Sequence, residues 1–129
     1  MDAEDLKNRT KQFAQRILRL VASLPNTLQG RTIADQLVRA GTSVGSNYRA
    51  ACRGRSRAEF IAKLGIVEEE ADESAFWLEL IIEADLLNEN RVKPLLDEAN
   101  ELTRIMASSR ISASRKVRAN RQSAIGNRQ

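Results

Sequence analysis

Residues 43–80 read SVGSNYRAACRGRSRAEFIAKLGIVEEEADESAFWLEL, and the fold follows from this stretch. Its second half places Phe60, Leu64, Val67, Ala71 and Leu78, continued by Ile81, at the three- and four-residue recurrence of one helix face. Ser56, with Glu59 three residues on, supplies the two side chains of a capping box at the start of that helix. The first half is small and polar around Val44, Tyr48 and Ala51, and closes on Gly54. Two helices joined by so short a turn lie antiparallel, so the stretch reads as a helical hairpin turning near Arg55.

Outward from the hairpin the same periodicity continues. A first helix is expected from about Asp5 to Leu24, with Leu6, Phe13, Ile17, Leu20 and Leu24 on one face, interrupted by Pro25 and Asn26. The hairpin's first helix begins at about Thr32, a suitable N-cap, and runs through Ile33, Leu37 and Ala40. A last helix follows Asn88 and Asn90, from about Val92 to Ser109, with Pro94 in its first turn and Leu95, Leu96, Ala99, Leu102, Ile105 and Met106 facing inward. No segment alternates as a half-buried strand does. The expectation is an all-α chain: an antiparallel up-down-up-down four-helix bundle over residues 1–109, followed by a disordered basic C-terminal tail over residues 110–129.

Charge draws the same boundary. The chain has 129 residues and a formal charge of +4. All 17 acids fall within residues 1–109, with 15 of the 21 Lys and Arg, a net of −2 there; the remaining residues carry six cations and no acid. Ile111, Val117 and Ile125 alone bury too little to offset chain entropy, hence the expected disorder. A single cysteine, Cys52, excludes an internal disulfide and suits a reducing cytoplasmic setting. The first 30 residues lack an apolar leader core, and no segment approaches the roughly 20 apolar residues of a membrane span, so no membrane association is expected.

Three features of the hairpin are candidates for more than packing. Gly41 and Gly45, four apart among small residues, cost about 1 kcal/mol each relative to Ala, which close helix packing offsets; an approach within the chain is favoured over a subunit interface. In the hairpin register Arg39 falls opposite Glu70, a structural ion pair that fixes the arrangement of the helices. Ile66, Glu70, Glu73 and Trp77 share a stripe beside the core face, where the carboxylates require partners. A carboxylate metal site is not expected, because helical di-metal centres use a Glu-x-x-His pair and this chain has no histidine. The same absence removes the usual base for a Ser or Cys nucleophile, and no phosphate-binding glycine loop is present. Neither catalysis nor a cofactor is expected.

Basic residues carry the functional reading. Arg49 and Arg53 lie one helical turn apart, and Arg55 and Arg57 follow in the turn; Arg110, Arg115, Lys116, Arg118, Arg121 and Arg128 populate the tail. Guanidinium groups suit phosphate oxygens, and such a set predicts salt-steep binding of RNA or DNA with little base specificity. The plainer account is that Arg55 and Arg57 neutralise Glu59 and that the tail aids solubility. Few aromatics are available as a stacking platform for bases.

The S-x-G-x-N-Y segment from Ser43 to Tyr48, followed by Glu59-Phe60, Lys63, Glu70-Ala71-x-Glu73 and Trp77-Leu78, resembles the four-helix-bundle proteins encoded in intervening sequences of bacterial 23S rRNA genes. The resemblance covers about residues 8–108 and excludes the tail. It implies the antiparallel bundle and a homo-oligomer, a pentamer in related proteins. Accessory proteins of diversity-generating retroelements look similar, and they imply nucleic-acid binding and a reverse transcriptase partner. This chain departs from the commoner pattern at Ala50 and Glu69, where an acid and a lysine often stand. Two readings follow: an oligomeric nucleic-acid-binding accessory protein, or a protein-interaction scaffold with no nucleic-acid role.

Overall fold

The computed structural model describes residues 1–126 and contains four helices: α1 (Ala3–Val21), α2 (Leu28–Cys52), α3 (Arg57–Glu83) and α4 (Glu89–Gly126). Among the described residues no strand occurs. Consecutive helices are neighbours, and α1 meets α4 along a looser seam that closes the ring, so the bundle is antiparallel with up-down-up-down order.

Each start is set by a local cap. Asp2 and Asp5 cap α1 reciprocally: the Asp5 N–H donates to the Asp2 carboxylate at 2.9 Å, and the Asp2 N–H donates back at 3.1 Å. The Ser56 hydroxyl accepts from the Glu59 N–H at 3.1 Å, placing α3 where its sequence signal stands, but the Glu59 carboxylate accepts from the Arg55 N–H at 3.0 Å instead of closing the expected capping box. α2 starts earlier than the expected Thr32. Thr27 is its cap, accepting from the Gly30 N–H at 3.1 Å, and Gly30 is buried where a Cβ would sit 1.9 Å from the Pro25 carbonyl oxygen. At the far end α3 closes on Asp85 with φ of 54°, where the Leu86 N–H reaches the Ile81 carbonyl and the Asp85 N–H that of Ile82. These two bonds are a Schellman motif, which usually takes glycine at that position.

The core is the set of stripes read from the sequence. Phe13, Ile17, Leu37, Val44, Leu64, Val67, Leu78, Ile81, Leu102 and Met106 are wholly or almost wholly enclosed. Burying each such large side chain contributes about 1.5–3 kcal/mol. The two glycines of α2 serve close approach within the chain: a Cβ on Gly41 would stand 2.8 Å from Ile17 Cγ1, and one on Gly45 would stand 3.3 Å from the Thr10 carbonyl oxygen. Thr10 is itself buried, its hydroxyl donating to the Leu6 carbonyl at 2.8 Å.

The last helix does not stop at the boundary placed at Ser109. α4 continues without interruption past that residue, because Arg110 Nε donates to Glu68 Oε1 at 2.8 Å and Ala113 is buried against the bundle. These contacts anchor the first turns of the segment expected to be disordered. From Ser114 to Gly126 the helix continues with no buried side chain. α4 also begins before Val92, at Glu89, so Pro94 lies in its second turn, where its missing N–H leaves the Asn90 carbonyl without that donor.

Candidate nucleic-acid interface

The α2–α3 turn and the outer half of α4 share one end of the bundle. Arg49 and Arg53 are exposed at the C-terminus of α2, Arg55 stands in the turn, and Arg57 opens α3. Because α4 runs antiparallel to α3, with Arg110 beside Glu68, its later residues pass the start of α3. Arg57 and Phe60 line one groove with Ser109, Ser112 and Lys116, and Ala58 and Ile61 line a second with Val117, Arg118 and Arg121. The two basic elements, separate in sequence, are therefore adjacent. Arg128 lies outside the described residues.

Eight cations stand at this end, Arg49, Arg53, Arg55, Arg57, Arg115, Lys116, Arg118 and Arg121, and the starts of α1 and α3 bring four acids, Asp2, Glu4, Asp5 and Glu59. None of the eight is in a salt bridge among the described residues. Three of the four acids are committed to helix starts. Asp2 and Asp5 cap each other's N–H groups, and Glu59 accepts from the backbone N–H of Arg55 at 3.0 Å rather than from a guanidinium. Hydrogen bonding to the Asp5 N–H holds the Asp2 carboxyl below its ordinary range. Arg110 differs from these eight in having a protein partner, Glu68, at 2.8 Å.

The expected pair of Arg39 with Glu70 does not form. Arg39 reaches back one turn to Asp35, 3.4 Å away on the same exposed face, so its guanidinium stays on α2. Glu70 has no salt-bridge partner among the described residues. Partial burial, then the neighbouring Glu73 and Glu69 carboxylates, raise its pKa. On the same helix Phe76 is 51% exposed and meets Trp77 edge-on, ring centres 5.0 Å apart, while the buried Trp77 Nε1 has no hydrogen-bond partner among the described residues. The sequence reading placed most aromatics on core stripes; Phe76 lies outside the core.

Two features were missed. Arg9 of α1 binds Glu98 of α4 through two hydrogen bonds, a contact between residues 89 apart that no local pattern announces. An open groove between α1 and α2 carries Lys7, Lys11 and Arg49; its signal was the pair of lysines one turn apart on the polar face of α1. Among the described residues no cluster of His, Cys, Asp or Glu could hold a metal ion, and no helix is long and apolar enough to cross a membrane.

The model of the 23S rRNA-intervening sequence protein family matches residues 4–108. The chain belongs to this family. A crystal structure of a protein of unknown function from the S23 ribosomal protein family of Bacteroides thetaiotaomicron is 34% identical, with a TM-score of 0.75, covering 80% of this chain and 95% of that one. No curated protein matches the chain. The family match ends before Arg110, so the outer half of α4 with its four unpaired cations lies beyond the shared intervening-sequence-protein bundle.

Proposed function

We propose that this intervening-sequence protein is a non-catalytic, oligomeric accessory protein that binds RNA or DNA through phosphate contacts at its basic end. The observation that carries this reading is the convergence of Arg53, Arg55 and Arg57 with Lys116, Arg118 and Arg121, while three of the four nearby acids are held at helix starts. Cations without protein partners gain most from phosphate oxygens, and the absence of a stacking platform favours backbone contact over base reading. Its test is a full-length variant with Arg57, Arg118 and Arg121 changed to Gln. Nucleic-acid affinity is expected to fall at least tenfold, and the salt slope to shrink by about 2–3, one contact's worth per cation. Unchanged binding by the triple variant overturns the assignment.

The second reading, a protein-interaction scaffold, is favoured by the exposed Phe76 and the unpartnered Trp77 Nε1. We assign this α3 face to association with further copies, which would cover the exposed Phe76 ring; a pentamer is the state the resemblance implies. A reverse transcriptase or another protein is the alternative occupant. Light scattering of a Phe76→Lys variant tests the assignment, with loss of the wild-type mass expected. The free thiol of Cys52 suits a cytoplasmic setting.

A further inference from the structure

The groove between α1 and α2 is a second cationic surface, and it is continuous with the basic end. It holds about 250 Å³ and is walled by Glu4, Lys7 and Lys11 on one side and Arg49 on the other. Its floor is low because α1 and α2 pack closely here, a Cβ on Gly45 having only 3.3 Å to the Thr10 carbonyl oxygen. Thr42 and Ser46 line the floor without filling it, their hydroxyls turned back to the carbonyls of Val38 at 2.7 Å and Ser43 at 3.3 Å. The charged groups of the lining are thus three cations and one acid, Glu4. Lys11 and Arg49 have no salt-bridge partner among the described residues. Lys7 has one, Glu4 at 3.7 Å, in an exposed pair of the kind that contributes little and yields readily to a stronger anion.

The order of these cations defines a direction. With α1 and α2 antiparallel and Gly45 level with Thr10, Lys11 lies deepest, Lys7 and Arg49 face each other one turn nearer the end, and Arg53 follows one turn beyond Arg49. At 1.5 Å per residue the track is about 15 Å long. That length accommodates a few consecutive phosphates of one strand. The geometry points to the α1–α2 groove as a channel for a sugar-phosphate backbone, in which Lys11, Lys7 and Arg49 extend the contact made at the basic end. This inference rests on the nucleic-acid reading above and adds to it a site, a direction and two lysines. An open track with point charges at turn spacing suits a polyanion; a free phosphate would be held by converging donors in a closed pocket.

The test measures fluorescence anisotropy of a labelled mixed-sequence oligoribonucleotide across a salt series, using full-length protein. Four single variants are compared, each at an exposed position: Lys11→Gln, Ser46→Tyr, Arg118→Gln and, at the far end of α2, Arg31→Gln. Lys11→Gln is expected to weaken binding roughly three- to tenfold at low salt and to lower the salt slope by about 0.7, the single-strand value for one phosphate contact. Ser46→Tyr fills the groove at constant charge and is expected to weaken binding similarly, while Arg31→Gln leaves it unchanged. If Arg118→Gln weakens binding but Lys11→Gln and Ser46→Tyr do not, the groove assignment is overturned and the basic end stands. If Arg31→Gln costs as much as Lys11→Gln, the effect is net charge alone and the groove is again overturned. No binding by the unaltered protein at low salt removes both.

Discussion

Arg9 on α1 and Glu98 on α4 are joined by two parallel hydrogen bonds of 2.7 Å, Nε to Oε2 and Nη2 to Oε1, across the bundle's loosest seam. Their side chains are 29% and 16% exposed, so the pair is shielded more than an ordinary surface bridge. The carboxylate raises the Arg9 pKa, chiefly through the hydrogen bonds. Glu98→Gln keeps the shape and removes the charge. It is expected to cost about 1–2 kcal/mol, read as a lower urea midpoint at unchanged slope. A change below about 0.3 kcal/mol would show the seam to be held by apolar packing alone.

Three glycines of α2 are predicted to rank by the space a methyl group would find. Gly30→Ala meets the Pro25 carbonyl at 1.9 Å and displaces the α1–α2 loop; Gly41→Ala meets the enclosed Ile17 at 2.8 Å; Gly45→Ala finds 3.3 Å. Thermal melts are expected to show losses above about 3 kcal/mol, of about 1–2 kcal/mol, and near zero, the last because Ala regains about 1 kcal/mol of helix propensity. A different order contradicts the packing described.

Asp85 pays for its left-handed backbone with no glycine freedom. Asp85→Gly is expected to stabilise by about 0.5–1 kcal/mol, seen as a raised melting temperature. Destabilisation would mean that the Asp85 side chain makes a contribution larger than the backbone strain.

Glu70 holds its proton to higher pH folded than unfolded, because burial and then Glu73 and Glu69 disfavour its charge. The folded state thus binds the extra proton above the unfolded carboxyl pKa, and stability falls as pH rises through that window. Glu70→Gln is expected to stabilise at pH 7, by less than about 1 kcal/mol for a group only partly buried, and to do nothing at about pH 3.5. An equal gain at both pH values would assign the effect to packing.

Legibility followed the range of the interaction. The α3 start was readable because Ser56 and Glu59 are three residues apart, and the core stripes because their spacing is the helix period itself. Thr32 was a suitable cap just before the Ile33, Leu37 and Ala40 stripe; only the fold reveals Pro25 pressed against Gly30, within a first turn that Thr27 caps. The pairing of Arg39 with Glu70 failed for the opposite reason: Asp35, one turn away on the same helix, is always within reach, whereas a partner on α3 requires a particular side-chain direction. Past Ser109, α4 pairs Arg110 with Glu68, 42 residues away, a contact that composition alone does not announce. Of the basic site, the residues were legible and their convergence was not.

The central claim is that unpaired cations gathered at one end of the bundle bind phosphate. The most direct measurement is the affinity of the full-length protein for mixed-sequence RNA and DNA as salt is raised. The account predicts binding at low salt to both, with log affinity falling against log salt at a slope of about −3 or steeper, as four or more phosphate contacts require. A flat salt dependence, or no binding to either polymer at about 50 mM salt, would contradict it.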